Sequence, residues 1–153
     1  MVDLGRLHQD LVRVETELWN ILDARLRAEC GLPVTSFMVM RFLTRHPGCR
    51  IQDISQEFAI TVGGTSKVVD RIEAGGFCRR RPHPHDRRSA IVELTPDGED
   101  LVSRAATVFE AEPDRQIGSA VAEQSLAQFA ATLSSLRTAL SSNGGQASTE
   151  LDA

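Results

Sequence analysis

The 153-residue sequence has no tyrosine, only one tryptophan and three cysteines, and no long apolar run. A membrane-spanning helix needs roughly 20 apolar residues, so the missing run argues against a membrane protein. Cys30, Cys49 and Cys78 are odd in number and lack metal-ligand spacing, which argues against the stable disulfides of a secreted fold. Because the N-terminus also has no signal-peptide core, we expect a cytoplasmic protein.

Sequence signatures of enzymes are missing as well. The chain has no nucleophile elbow, no phosphate-binding loop and no metal-binding helix. His83 and His85 stand two residues apart in a polar segment, a pattern more typical of exposed side chains than of a metal site. We therefore predict a protein that is not an enzyme and that has no metal or cofactor.

The overall composition is that of a globular protein, with 41% hydrophobic and 25% charged residues. The length predicts one domain that spans residues 1–140 and buries its own core. From residue 141 onward Ser, Asn, Gly, Gln and Thr predominate, which predicts a disordered tail over 141–153.

The stretch from Thr61 to Thr95 organises the rest of the chain. Thr61 is a suitable N-cap, and small or apolar residues follow at helical spacing until Gly75 and Gly76 end the helix. They are Thr65, Val68, Val69 and Ile72. Gly63 and Gly64 lower the helix propensity of the first turn, and they leave bare backbone that can approach another surface.

A basic hairpin follows this helix. Phe77–Arg81 and Ala90–Leu94 are predicted strands, and the prolines of the intervening link, residues 82–89, are expected to prevent ladder pairing there. Between Lys67 and Arg88 there are seven Lys or Arg against three acidic residues, a local net charge of +4 in a chain whose total is −4. Such a confined basic surface favours a polyanionic partner.

Other helices flank this stretch. Residues 4–30 form a long amphipathic pattern, and Thr35 or Ser36 should cap the helix that follows it. Residues 51–58 form a short helix that pairs with the Thr61 helix as a helix-turn-helix. Thr95 should cap the helix that begins at Pro96, and Pro113 should break that helix. The apolar stripes of 4–26 and 126–140 exceed what one small module can cover, which predicts a homodimer.

These motifs together resemble the MarR family of winged-helix transcription regulators. The resemblance rests on the DRIE segment, Gly76, the basic strand, the DRR segment and the closing LT-x-x-G. They occupy Asp70–Glu73, Gly76, Arg79–Arg81, Asp86–Arg88 and Leu94–Gly98. It implies a mainly α (α+β) fold: a winged helix-turn-helix over 35–95 with a two-stranded β-hairpin wing, and long dimerisation helices over 1–30 and 96–140.

The function implied is that of a ligand-responsive homodimeric repressor that binds a pseudo-palindromic operator in double-stranded DNA. Ser66, Lys67 and Arg71 are the expected polar contacts in the major groove, and Thr61 and Thr65 are expected to bind phosphate or cap the helix. The family pattern assigns Arg87 to the minor groove and Arg88 to an ion pair with Asp86 that shapes the wing. The remaining expected DNA-binding residues are Gly63, Arg79 and Arg81.

For the effector, the resemblance places a ligand between the first helix and the winged module, and the arginines there suggest an anionic aromatic compound. The candidate lining residues are Arg13, Trp19, Phe37, Met40 and Arg41. Two alternatives stay open: a redox-responsive regulator switched through Cys30, Cys49 or Cys78, and a winged helix that binds proteins without binding DNA.

Overall fold

The structure is a computed structural model that describes residues 1–147, with the backbone alone at residues 87, 88 and 141–147. Over this range the chain is mainly helical with one antiparallel hairpin, which confirms the predicted fold class. The elements are α1 (Leu4–Cys30), α2 (Val34–Arg45), α3 (Ile51–Phe58), α4 (Val62–Ala74), β1 (Cys78–His83), β2 (Asp86–Leu94), α5 (Pro96–Pro113), a π-helix (Asp114–Gly118) and α6 (Glu123–Ala147). The chain divides into two units, one ending at Glu112 and the other beginning at Pro113.

Local capping fixes both ends of α1. The Asp3 carboxylate accepts a hydrogen bond from the Arg6 amide at 3.0 Å, and Gly31 ends the helix in the left-handed region with a φ of 64°. The next helix, α2, begins at Val34, before the predicted caps Thr35 and Ser36. Its first amide is bound by the Asp23 carboxylate of α1 at 2.8 Å, a partner eleven residues away that local sequence patterns do not indicate.

The core of the first unit lies where α2, α4 and the hairpin meet. Phe37, Met40, Ile54, Val69 and Val92 are almost entirely buried there, and Leu26 adds the C-terminal end of α1. A short segment before α3 also pairs with β2: the Val92 amide donates to the Cys49 carbonyl at 2.8 Å, and Arg50 forms an isolated β-bridge with Ile91. The helix-turn-helix and the wing therefore share one core.

The apolar stripes of the two long helices stay exposed within their own units. On α1, Leu4, Leu7 and Val14 are exposed. On α6, the exposed members are Phe129, Leu133, Leu136 and Leu140. No helix in the stretch 1–147 combines the length and apolarity that crossing a membrane requires.

The C-terminal boundaries differ in part from the sequence expectation. α5 ends at Pro113 as predicted, and the chain continues as a π-helix. α6 continues to Ala147, so the backbone of residues 141–147 is helical where a disordered tail was expected. Serine, asparagine and glycine lower helix propensity, but they do not block propagation as proline does. Residues 148–153 lie outside the described part of the chain.

Candidate nucleic-acid interface

The turn between α3 and α4 sets the angle of the helix-turn-helix. Ala59 takes the left-handed conformation, with a φ of 51°, at the end of α3. The Ile60 amide then donates to the Ser55 carbonyl at 3.2 Å, and the Ser55 hydroxyl donates to the Ile60 carbonyl at 2.8 Å. These reciprocal bonds fix the entry into α4, which begins at the predicted residue.

The first turn of α4 is built around Thr61. Its hydroxyl accepts the Gly64 amide at 3.1 Å, which confirms its role as the N-cap. The environment of Thr65 disfavours the predicted phosphate contact. Thr65 is fully buried, and its hydroxyl donates to the Thr61 carbonyl at 3.1 Å, because position 65 lies on the face of α4 that packs into the core.

The outer face of α4 carries the remaining predicted contacts. Gly63, Lys67 and Arg71 are exposed at successive turns, and Ser66 is half-buried beside them. A methyl group added at Gly63 would meet no atom within 4 Å. Another surface can therefore approach the helix backbone at this position, next to two cations.

The three consecutive arginines of β1 separate onto two faces, because side chains alternate along a strand. Arg79 and Arg81 are exposed on one face and share a single carboxylate, that of Glu93, at 3.6 and 3.2 Å. Arg80 is on the other face, where it pairs with Asp70 and Glu73 of α4. Sequence reasoning counted Arg80 only as part of the charge run. The period of two from buried Cys78 was the signal that could have placed it.

The wing is longer than predicted. Pro82 pairs with Ala90 and His83 with Asp86, so the strands continue into the link where no ladder was expected. Proline lacks only the amide donor, and an irregularity between Pro82 and His83 absorbs the mismatch. The side chains of Arg87 and Arg88 lie outside the described part of the structure. Their roles in the minor groove and in the pair with Asp86 remain predictions.

A junction at the base of the hairpin joins the wing to two helices. The Thr95 hydroxyl donates to the Gly76 carbonyl at 2.7 Å and accepts the Gly98 amide at 3.1 Å. The Thr95 amide donates to the Phe77 carbonyl at 3.0 Å. Thr95 was predicted only as the cap of α5, and its bond to the end of α4 was not foreseen.

The five residues of the predicted ligand pocket are not brought together at one surface. Phe37 and Met40 are fully buried core residues. Trp19 is 40% exposed and lines an open groove of about 190 Å³ with Glu15 and Thr16. Arg13 is exposed and pairs with Glu17 at 2.9 Å.

Arg41 is the predicted pocket residue with a defined aromatic environment. It is half-buried, and its guanidinium lies 4.8 Å from the ring centre of Phe109 and 6.0 Å from that of Phe37. This geometry places a cation over aromatic faces at the edge of the core.

The cysteines bear on the redox alternative. Cys49 and Cys78 are buried, and desolvation raises the pKa of both thiols, that of Cys78 to about 11. Glu73 adds to the rise at Cys78. A redox sensor needs an accessible thiolate, so these two environments disfavour that role. The third thiol, that of Cys30, is partly exposed.

A helix-turn-helix whose second helix leads directly into a basic antiparallel hairpin defines a winged-helix protein. Residues 31–89 match the model of the MarR family. The winged-helix part of the chain is therefore similar to this family of transcription regulators.

Individual comparisons support the same class. An HTH-type transcriptional regulator of Bacillus subtilis, YfiV, is 28% identical over 98 residues, which cover 57% of this chain and 61% of that protein. A MarR family transcriptional regulator from Streptomyces coelicolor, solved in complex with DNA, superposes with a TM-score of 0.78 at 19% identity over 92% of this chain and 90% of its own. The structure of the transcriptional repressor CouR bound to a 23-mer DNA duplex superposes with a TM-score of 0.75 at 21% identity. The match covers 90% of this chain and 99% of that one. The chain spans 49–65% of the length of the first curated relatives that it matches.

Proposed function

We propose that the protein is a homodimeric transcriptional repressor that binds a pseudo-palindromic DNA operator and responds to a small anionic aromatic ligand. The observation that carries the DNA-binding part is the outer face of α4, where Lys67 and Arg71 are exposed beside the open backbone of Gly63. A helix inserted into the major groove with this face inward would place both cations against the DNA.

The wing supports the same partner. Arg79 and Arg81 share one carboxylate, so this face of the hairpin keeps a net positive charge. An excess of positive charge on one face favours a polyanion such as DNA. The DNA-bound structures of the same fold, one of them a repressor, favour DNA over the protein-interaction alternative.

The dimer follows from the exposed stripes of α1 and α6. Two leucines of α1 and three of α6 are exposed, and exposed apolar stripes of this kind are typical of surfaces that bind a partner. A two-fold dimer presents two copies of α4, which matches a palindromic site with half-sites about one helical turn apart. A protein held on such a site at a promoter would exclude RNA polymerase, which is the repressor role.

Salt dependence of binding to a selected duplex tests the proposal. The wild-type protein would first select a duplex from a random-sequence pool, and its affinity would then be measured between about 50 and 200 mM salt. If the dimer neutralises about six to ten phosphates, affinity should fall by roughly 10³ to 10⁵ over this range. Light scattering of the complex should give two chains per duplex.

Two single variants with the same change of charge sharpen this test. Arg71→Ala should reduce the log–log salt slope by about one for each phosphate that Arg71 neutralises in the wild-type complex. The matched control is Arg6→Ala, which removes an exposed arginine of α1 whose side chain is 79% exposed and pairs with Asp10. The control should keep the wild-type slope. A slope near zero for the wild type, or equal affinities together with equal slopes for both variants, would contradict the proposed interface.

A further inference from the structure

The acidic side chains of α4 form a clamp with one arginine of β1. Arg80 binds Asp70 through Nη2 at 2.5 Å and binds the Glu73 carboxylate through Nη1. The backbone amide of Arg80 also donates to Glu73 Oε1 at 2.9 Å. One residue of the wing therefore makes three bonds to two successive turns of the helix proposed to enter the major groove.

This environment differs from that of the neighbouring arginines. The Arg80 side chain is 28% exposed, whereas those of Arg79 and Arg81 are 58% and 56% exposed. Burial alone would lower the pKa of Arg80, but the hydrogen bonds to Asp70 and Glu73 outweigh it and raise the pKa. The guanidinium is thus occupied by protein carboxylates and turned away from the face that carries Arg79 and Arg81.

The type of side chain fits this role. A planar guanidinium can bind two carboxylates in fixed directions at once, whereas the single ammonium of lysine does not hold such a fork geometry. Asp70 and Glu73 are three residues apart on α4, so both project toward the same side of the helix. The clamp defines how β1, and with it the wing, is oriented relative to α4.

We propose that Arg80 is a positioning residue for DNA binding: it makes no DNA contact itself, and with Asp70 and Glu73 it fixes the angle between α4 and the wing so that both reach the same duplex. This inference rests on the proposed function. It differs from the simplest interpretation of the basic residues between Lys67 and Arg88, in which every arginine binds a phosphate and the carboxylates of Asp70 and Glu73 oppose DNA binding.

The two interpretations predict opposite effects of one double variant on DNA affinity. The double variant Asp70→Asn/Glu73→Gln removes two negative charges from the DNA-facing unit but weakens the clamp. If Arg80 positions the wing, this variant should bind the selected duplex at least about fivefold more weakly than the wild type. If Arg80 binds a phosphate, removing two repulsive carboxylates should strengthen binding instead.

The second variant is Arg80→Met, with Arg79→Met as its matched neighbour. Arg80→Met should lower affinity by about tenfold or more at fixed salt and leave the log–log salt slope at the wild-type value. Arg79→Met should lower the slope, because its side chain is exposed on the outer face. All affinities would be measured well below the unfolding midpoint of each variant, so that a fall in stability alone would not change them.

The outcomes separate this inference from the function on which it rests. If the wild-type protein selects no duplex, the proposed function fails and the positioning role fails with it. If the wild type binds but the double variant binds more tightly, or if Arg80→Met lowers the slope as much as Arg79→Met does, the positioning role alone is refuted. Should Arg80→Met not fold, the double variant, which keeps the arginine, still decides between the two interpretations.

Discussion

Replacing Gly98 with alanine is expected to destabilise the winged module, although alanine is normally the better helix former. Gly98 lies in the first turn of α5 and is buried against the base of the hairpin. A Cβ at this position would lie 1.9 Å from the Phe77 carbonyl oxygen and 2.9 Å from its carbon, and contacts under 3.0 Å are essentially never seen. The start of α5 would have to move by more than 1 Å.

Three contributions set the magnitude of this effect. Steric insertion into a packed site costs about 1–3 kcal/mol, and backbone against backbone belongs at the upper end. The same Phe77 oxygen accepts the Thr95 amide at 3.0 Å, so the shift also threatens a hydrogen bond with a net contribution of about 1 kcal/mol. Alanine regains about 1 kcal/mol of helix propensity. The net expectation is a destabilisation of about 1–3 kcal/mol.

Gly63 provides the matched control, since it is also a glycine in the first turn of a helix but has open space where a Cβ would be. Gly63→Ala should raise the free energy of unfolding by about 1 kcal/mol through helix propensity alone. It should also weaken DNA binding if backbone approach matters there. Urea unfolding followed by circular dichroism measures both variants. A Gly98→Ala protein as stable as the wild type, or a Gly63→Ala protein less stable than the wild type, would refute this reasoning.

The other predictions concern the start of α3 and the effector. The Asp53 carboxylate accepts the Arg50 amide at 2.7 Å, and this bond keeps the pKa of Asp53 below its usual value. Asp53→Ala should therefore lower the free energy of unfolding by about 1 kcal/mol at neutral pH. Because the pKa of Asp53 is lower in the folded state, its stabilisation is complete above the ordinary pKa of about 3.9 and is lost as pH falls through the folded-state pKa. The difference in unfolding free energy between Asp53→Ala and the wild type should therefore shrink only in that acidic range. Anionic phenolic acids should release the selected duplex, and Arg41→Gln should abolish this release, because Arg41 is a half-buried cation beside aromatic rings. Release by peroxide alone, abolished by replacing Cys30 with serine, would favour the redox alternative.

Local patterns predicted what depends on local chemistry. The bounds of α1, α3 and α4 follow from caps and helical spacing near Thr61 and Gly31, and the structure has them at the predicted residues. The start of α2 was missed because its cap, Asp23, belongs to another helix. The pairing at the hairpin tip was missed because proline was expected to exclude strand pairing there. Proline is excluded from the interior of a sheet, but Pro82 lies near the end of a strand, beside an irregularity in the pairing.

Side-chain roles at the site were harder to predict than the elements. Thr65 fits the inward spacing of α4 and also has a hydroxyl that suits phosphate, and only its burial decides between the two. Phe37 and Met40 have the same ambiguity between core and pocket, since an apolar side chain suits either. Residue type limits what a side chain can do, but the packing of distant elements decides what it contacts.

The residues of the winged helix divide into those that join its elements and those proposed to contact DNA. Asp70 and Glu73 bind Arg80, while Thr95 and Gly98 join the wing to α4 and α5. These residues maintain the angle between helix and wing, which any winged helix needs whatever its target sequence. Gly63, Lys67 and Arg71 are exposed on the outer face of α4, with Ser66 half-buried beside them, and these four positions are the ones proposed to read the DNA. This division explains why the motifs identify the fold and the class so clearly and carry no information about the operator. It also follows that exchanging these four positions with those of a relative should transfer operator preference, while exchanging the joints should change affinity alone.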